Sequence, residues 1–107
     1  MPCNLIYAST YNDAYSDIIE YLLTLSPNVA SNFNSELKQQ IISIADFPGL
    51  YPRYENSESL GVKLRKMVLS GFNYIVFYEI SEDRKTVTFF DIVHTSRDIQ
   101  SVLSQQF

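Results

Sequence analysis

Val62-Lys-Leu-Arg-Lys-Met-Val68, Phe72-Asn-Tyr-Ile-Val-Phe-Tyr-Glu-Ile80 and Thr86-Val-Thr-Phe-Phe-Asp-Ile-Val-His94 follow one another in the last part of the chain. Each is dense in Val, Ile, Phe or Tyr, whose branched and aromatic side chains suit a pleated, half-buried surface, and the connections are as short as Ser70-Gly71. Three such runs predict an antiparallel meander with its middle strand buried on both faces. In the first run, Val62, Leu64 and Val68 point one way and Lys63 and Arg65 the other, with Lys66 interrupting the apolar set. Lys63 and Arg65 are therefore expected on an open face of the sheet. The last run leads into His94-Thr-Ser-Arg97-Asp98 at its rim.

Upstream, Asn4 to Ala8 reads as a first strand. Thr10, with Asp13 three places on, has the pattern of a helix N-cap and an acid in the first turn. Tyr11, Ala14, Tyr15, Ile18, Leu22 and Leu25 then recur at spacings of three and four, one face of an amphipathic helix. Ser26-Pro27 ends that helix and starts another, because serine caps and proline is tolerated where no amide is needed. Ala30, Phe33, Leu37, Ile41 and Ile44 carry the same periodicity as far as Asp46-Phe-Pro48-Gly49. Two helices with almost no loop between them must pack antiparallel. Residues 48–60, with two prolines and a glycine, read as a loop, and Asp98 to Phe107 has the pattern of a short C-terminal helix with Ile99, Val102 and Leu103 on one side.

The order is β-α-α-β-β-β, an α+β fold in which the helical hairpin packs on one face of a four-stranded, mainly antiparallel sheet. A chain of 107 residues with 46% apolar content has the means for one core, so a single domain over 1–107 is expected. Cys3 is the only cysteine, which excludes an intrachain disulfide, and neither a signal-peptide pattern nor a long apolar span is present. A cytoplasmic protein without membrane association is expected. The net charge of −4 is uneven: residues 1–60 hold seven acids against two bases, and 61–107 hold six bases against five acids. An acidic chain is repelled by nucleic acid overall, so contact with phosphates would be local, around Lys63, Arg65 and Lys66. Lysines on an edge strand also serve simply to keep it from aggregating.

His94, the sole imidazole, has acid–base chemistry available at neutral pH, although a histidine at a strand end is more often bonded into the structure. One Cys and one His cannot supply a zinc site, the acids form no calcium loop, and Gly49, Gly61 and Gly71 are too scattered for a phosphate loop. No metal and no cofactor are expected. Tyr11, Tyr15, Tyr74 and Tyr78 fall where packing accounts for them better than base stacking does.

The ordered set formed by the first strand and helix, Asp46-Phe-Pro48, Tyr51-Pro-Arg-Tyr54, Leu64-Arg65, Phe72 to Tyr78 and Thr86 to Asp98 resembles the RelE/ParE superfamily of small bacterial toxins from type II toxin–antitoxin systems. The likeness covers nearly the whole chain, and the His-x-x-Arg-Asp ending is closer to the ParE-like branch. It implies a growth-inhibiting toxin neutralised by a cognate antitoxin, with a homodimer within the toxin–antitoxin complex as one arrangement. Two mechanisms are implied for the superfamily. Nuclease members cut messenger RNA on the ribosome, which here would use Lys63 and Arg65 as cations with His94 and Arg97 as further catalytic groups. ParE members poison DNA gyrase by binding, which makes Lys63, Arg65, His94 and Arg97 a target or partner surface. Asn73 stands near where nucleases offer an arginine, no tyrosine lies beyond Arg97, and the chain is acidic, so the gyrase reading is favoured. An inactive relative acting as a binding or regulatory module is the third reading.

Overall fold

A computed structural model describes residues 2–107. Strand β1 (Asn4–Tyr7) is followed by helices α1 (Ser9–Leu25) and α2 (Pro27–Asp46), a 3-10 turn over Glu55–Leu60, the meander β2 (Arg65–Leu69), β3 (Tyr74–Ile80) and β4 (Thr86–His94), and α3 (Ile99–Ser104). The sheet order is β1-β4-β3-β2, with β1 parallel to β4 and the other pairs antiparallel. The expected α+β architecture is present, including the short terminal helix.

Ser26 joins the two long helices by itself. Its amide donates to the Leu22 carbonyl (3.0 Å), closing α1, and its hydroxyl accepts from the Asn28 amide (3.1 Å), opening α2, with Pro27 at the first helical position. Thr10 is not the cap of α1. The helix starts at Ser9 without a side-chain cap, and the Thr10 hydroxyl instead donates to the Phe90 carbonyl (2.5 Å), pinning α1 beside the irregular register between β3 and β4. The apolar faces of both helices pack as their spacing predicts, except that Leu25, in the last turn, is 58% exposed.

Tyr11, Ile18, Leu22, Phe33, Leu37 and Ile44 close over Met67, Leu69, Val76, Tyr78, Val87 and Phe89 to form the larger core. The opposite sheet face is also covered. Leu64, Ile75, Phe77 and Val93 pack there against Leu103 of α3, with Tyr54, Leu60 and Val62 from the preceding segment around them. The stretch taken as a loop holds the 3-10 turn because Ser57, 1% exposed, shares its hydroxyl between the Tyr54 and Val62 carbonyls (2.7 and 3.0 Å) and accepts from the Leu64 amide (3.0 Å).

Two strand limits move for related reasons. Leu64 O accepts from the Tyr54 amide and the Lys66 amide donates to Pro52 O, so residues 52–54 pair beside this segment and β2 begins at Arg65 rather than Val62. Phe72 and Asn73 belong to the turn before β3. Asn73 has φ 60°, a left-handed conformation that asparagine tolerates, and Phe72 packs edge-on to Phe33.

Candidate target-binding surface

Register decides where the strand-two cations point. Arg65 pairs with Tyr78, Met67 with Val76 and Leu69 with Tyr74, and Met67, Leu69, Val76 and Tyr78 all belong to the core beneath the helical hairpin. Side chains alternate along a strand, so Arg65 faces the hairpin side and not an open face. The apolar residues Val62 and Leu64 take the other side, where α3 covers them. The expected exposure on a bare face is thus corrected: the alternation was legible, but α3 and the 3-10 turn bury the face taken to be open.

Arg65 nevertheless reaches the rim. The loop after α2, not the hairpin, lies over it: Arg65 Nη1 donates to the Tyr51 carbonyl (2.7 Å), and the Tyr51 hydroxyl bonds Gln40 of α2. Beneath it the Tyr78 hydroxyl donates to Pro48 O (2.9 Å); burial pushes this phenol up to about 12, which keeps it neutral and a donor. Lys63, exposed, lies beside Arg65 in an open groove of about 240 Å³ completed by Arg53, Ile80, Ser81, Glu82 and Arg84. Arg53 and Arg84 were not picked out in the sequence. Arg84 sits in the β3–β4 turn at φ 59°, held by its amide to Ser81 O (2.8 Å), while Asp83 accepts from the Ser81 hydroxyl (2.6 Å) and the Lys85 amide (3.0 Å). Those bonds hold the Asp83 carboxyl below the usual range.

His94 and Arg97 lie elsewhere. Tyr74 pairs with His94 and Tyr78 with Arg65, four residues apart along β3, which puts the two groups at opposite ends of that strand, about 13 Å apart along it. The His94 ring stands edge-on to Tyr74, and its Nδ1 accepts from the Ser96 amide (3.1 Å) and lies 2.7 Å from the Ser96 hydroxyl. An amide can only donate, so Nδ1 is the acceptor in that bond and the ring is tied into the turn. Arg97 is exposed and makes no ion pair with Asp91 or Asp98; among the described residues the ion pair is Arg53–Glu58 (3.1 Å).

The His94 end holds a second cavity, of about 550 Å³, whose charged lining is Asp13, Asp17, Asp91 and Arg97. Asp91 is 7% exposed and accepts from the Ile92 amide (2.8 Å) and Gln106 Nε2 (2.5 Å). Desolvation raises its pKa against those bonds and the attraction of Arg97. A carboxylate inside the run Phe89-Phe-Asp-Ile-Val93 was the available signal for it. Along the other edge, β1, α1 and α2 bound an apolar groove of about 530 Å³, lined by Leu5, Tyr7, Tyr11, Leu37, Ile41 and Ile42 among others. Among the described residues no group of three or more His, Cys, Asp or Glu is placed to hold a metal, and no helix is long and apolar enough to cross a membrane.

A helical hairpin over a four-stranded sheet, with a cationic groove at one end and an apolar groove along one edge, defines a small α+β protein. Residues 5–99 match the family described as the ParE toxin of type II toxin–antitoxin systems, parDE, and the chain belongs to that family. Among solved structures it is similar to a mutant of the E. coli toxin RelE in the free state, with 13% identity over 99% of this chain and 97% of that one and a TM-score of 0.60. It is also similar to the toxin–antitoxin complex RelBE2 from Mycobacterium tuberculosis, with 14% identity over 88% of this chain and 99% of that one and a TM-score of 0.51. At such identities the likeness is one of fold. Comparison with curated proteins gives no match.

Proposed function

We propose that this chain is a cytoplasmic toxin that arrests growth by binding a macromolecular target, DNA gyrase, and that a cognate antitoxin neutralises it. The observation that carries the choice of binding over cleavage is the separation of Arg65 from His94 by four residues of β3, about 13 Å along the strand. Cleaving RNA needs a base at the 2′-hydroxyl, cations on the crowded phosphate and an acid at the leaving oxygen, all around one phosphate. Cations at one end of a strand and an imidazole committed to a backbone amide at the other do not converge in that way. Binding needs no such convergence. Gyrase supercoiling and ribosome-programmed mRNA cleavage, measured side by side, test the reading: inhibited supercoiling with intact message is expected, and cut message with unaffected supercoiling would refute it.

For the antitoxin, the apolar groove along β1, α1 and α2 is the surface best suited, because an acidic toxin gains little from the charge of an acidic partner segment. Ile42, 54% exposed, extends its apolar rim. Burial of apolar area is insensitive to screening, so the toxin–antitoxin complex is expected to survive ~0.5 M salt, where exposed ion pairs are heavily screened. Dissociation of the purified complex at that salt, followed by size-exclusion chromatography, would count against this groove.

A further inference from the structure

Half of the eight basic residues of this acidic chain, Arg53, Lys63, Arg65 and Arg84, line one groove at the end of the sheet. Gathering like charges works against folding, and little within the chain offsets it here. Arg53 pairs with Glu58, but among the described residues Lys63, Arg65 and Arg84 have no carboxylate within ion-pair distance. Glu82 is the one acid of the lining and makes no ion pair there, leaving four cations against one carboxylate, and Asp83 beside it is turned toward Ser81 and the Lys85 amide. The cations come from three separate segments: the Arg65 guanidinium is held by Tyr51 O and that of Arg53 by Glu58, while the left-handed turn and the bridge to Arg65 fix the backbones of Arg84 and Arg53.

From this arrangement we infer that the groove grips the phosphodiester backbone of duplex DNA. The inference rests on the target reading above, and extends it from the target protein to the duplex that protein handles. Three guanidinium forks and an ammonium match phosphate oxygens, which accept paired hydrogen bonds as well as charge. Ile80 is the one apolar residue of the lining, so an acidic peptide would find little to anchor its side chains, whereas a phosphate backbone needs only the cations. The groove is an open trough on the rim and suits a polymer passing across it better than a small free anion.

The full chain is titrated against a fluorescein-labelled 20-base-pair duplex, by anisotropy, from low to moderate salt. Binding is expected with a log–log salt slope of about −3, as three or four neutralised phosphates give. Lys63→Ala/Arg84→Ala should weaken it at least tenfold and reduce the slope by about 2. Ser31→Glu/Ser35→Glu, on exposed positions of α2, changes net charge by the same amount and should have a much smaller effect. Equal thermal midpoints establish that the variants fold. Absence of duplex binding at low salt, an unchanged slope in the Lys63/Arg84 variant, or competition by polyglutamate as strong as by unlabelled duplex would overturn the inference. Supercoiling on the same preparations separates the two claims. A parent that inhibits gyrase without binding duplex overturns the DNA grip alone, and a parent that binds duplex without inhibiting gyrase overturns the target reading alone.

Discussion

The two ends of the central sheet are built from similar strands and carry different surroundings. At the His94 end, the imidazole accepts from Ser96 and Asp91 is held by Gln106, while the exposed Arg97 lines a cavity of about 550 Å³ with three aspartates. At the Arg65 end, the polar groups are cations directed outward around a groove, anchored from behind by carbonyls of the loop after α2. A charge that is bonded and buried is structural, and one that is positioned but unpaired is available to a partner. The comparison teaches that the residues singled out for function divide between these roles according to what surrounds them, not according to their chemistry.

The largest effect should come from uncovering the second face of the sheet. Leu103 is fully buried against the second core, and Leu103→Ala should cost about 3 kcal/mol in denaturant unfolding. If it costs under about 1 kcal/mol, α3 does not close that face. At the open end, Arg65→Ala removes a charged donor from the Tyr51 carbonyl and should cost about 1 kcal/mol. Lys63→Ala, exposed and unpaired, should stay within about 0.5 kcal/mol of the parent. A Lys63 cost comparable to that of Arg65 would erase the distinction between anchored and free cations.

The smallest effect is a pH dependence confined to the His94 end. Burial raises the Asp91 pKa above its unfolded value, so the folded protein holds that proton more tightly. Its stabilising contribution is complete below the ordinary aspartate pKa and is lost as pH rises through the folded value. Asp91→Asn, which cannot ionise, should gain stability relative to the parent as pH rises from about 4 to 7, near the ordinary carboxylate range and above. Gln106 Oε1, buried without a partner, offers the new amide an acceptor once the Gln106 amide turns over. Parallel stability curves for the two proteins across that range would show that Asp91 is not desolvated.

Much of this was legible in the chain. The helical periodicity, the Ser26-Pro27 junction and the three hydrophobic runs carry the element order, because local capping and side-chain alternation act over a few residues. What escaped depends on long-range pairing. Residues 52–54 displace the start of β2 and the second face acquires a lid because Tyr54, Leu60 and Val62 meet Leu103, contacts that no local pattern announces. For the same reason Lys63 and Arg65 were read as facing away from the hairpin on a bare sheet, while Arg53 and Arg84, far from them in sequence, complete their groove unforeseen. His94 accepts from the Ser96 amide, a bond between residues two apart that the sequence alone does not announce.

Induced expression of two variants at equal soluble levels tests the division between the ends most directly, with growth as the readout. His94→Gln keeps an acceptor for Ser96, and Lys63→Ala/Arg65→Ala removes the outward cations. Growth arrest by the His94 variant and relief of arrest by the Lys63/Arg65 variant is the expected result. Arrest that requires His94 but not Lys63 and Arg65 would contradict the account and place the working chemistry at the end described here as structural.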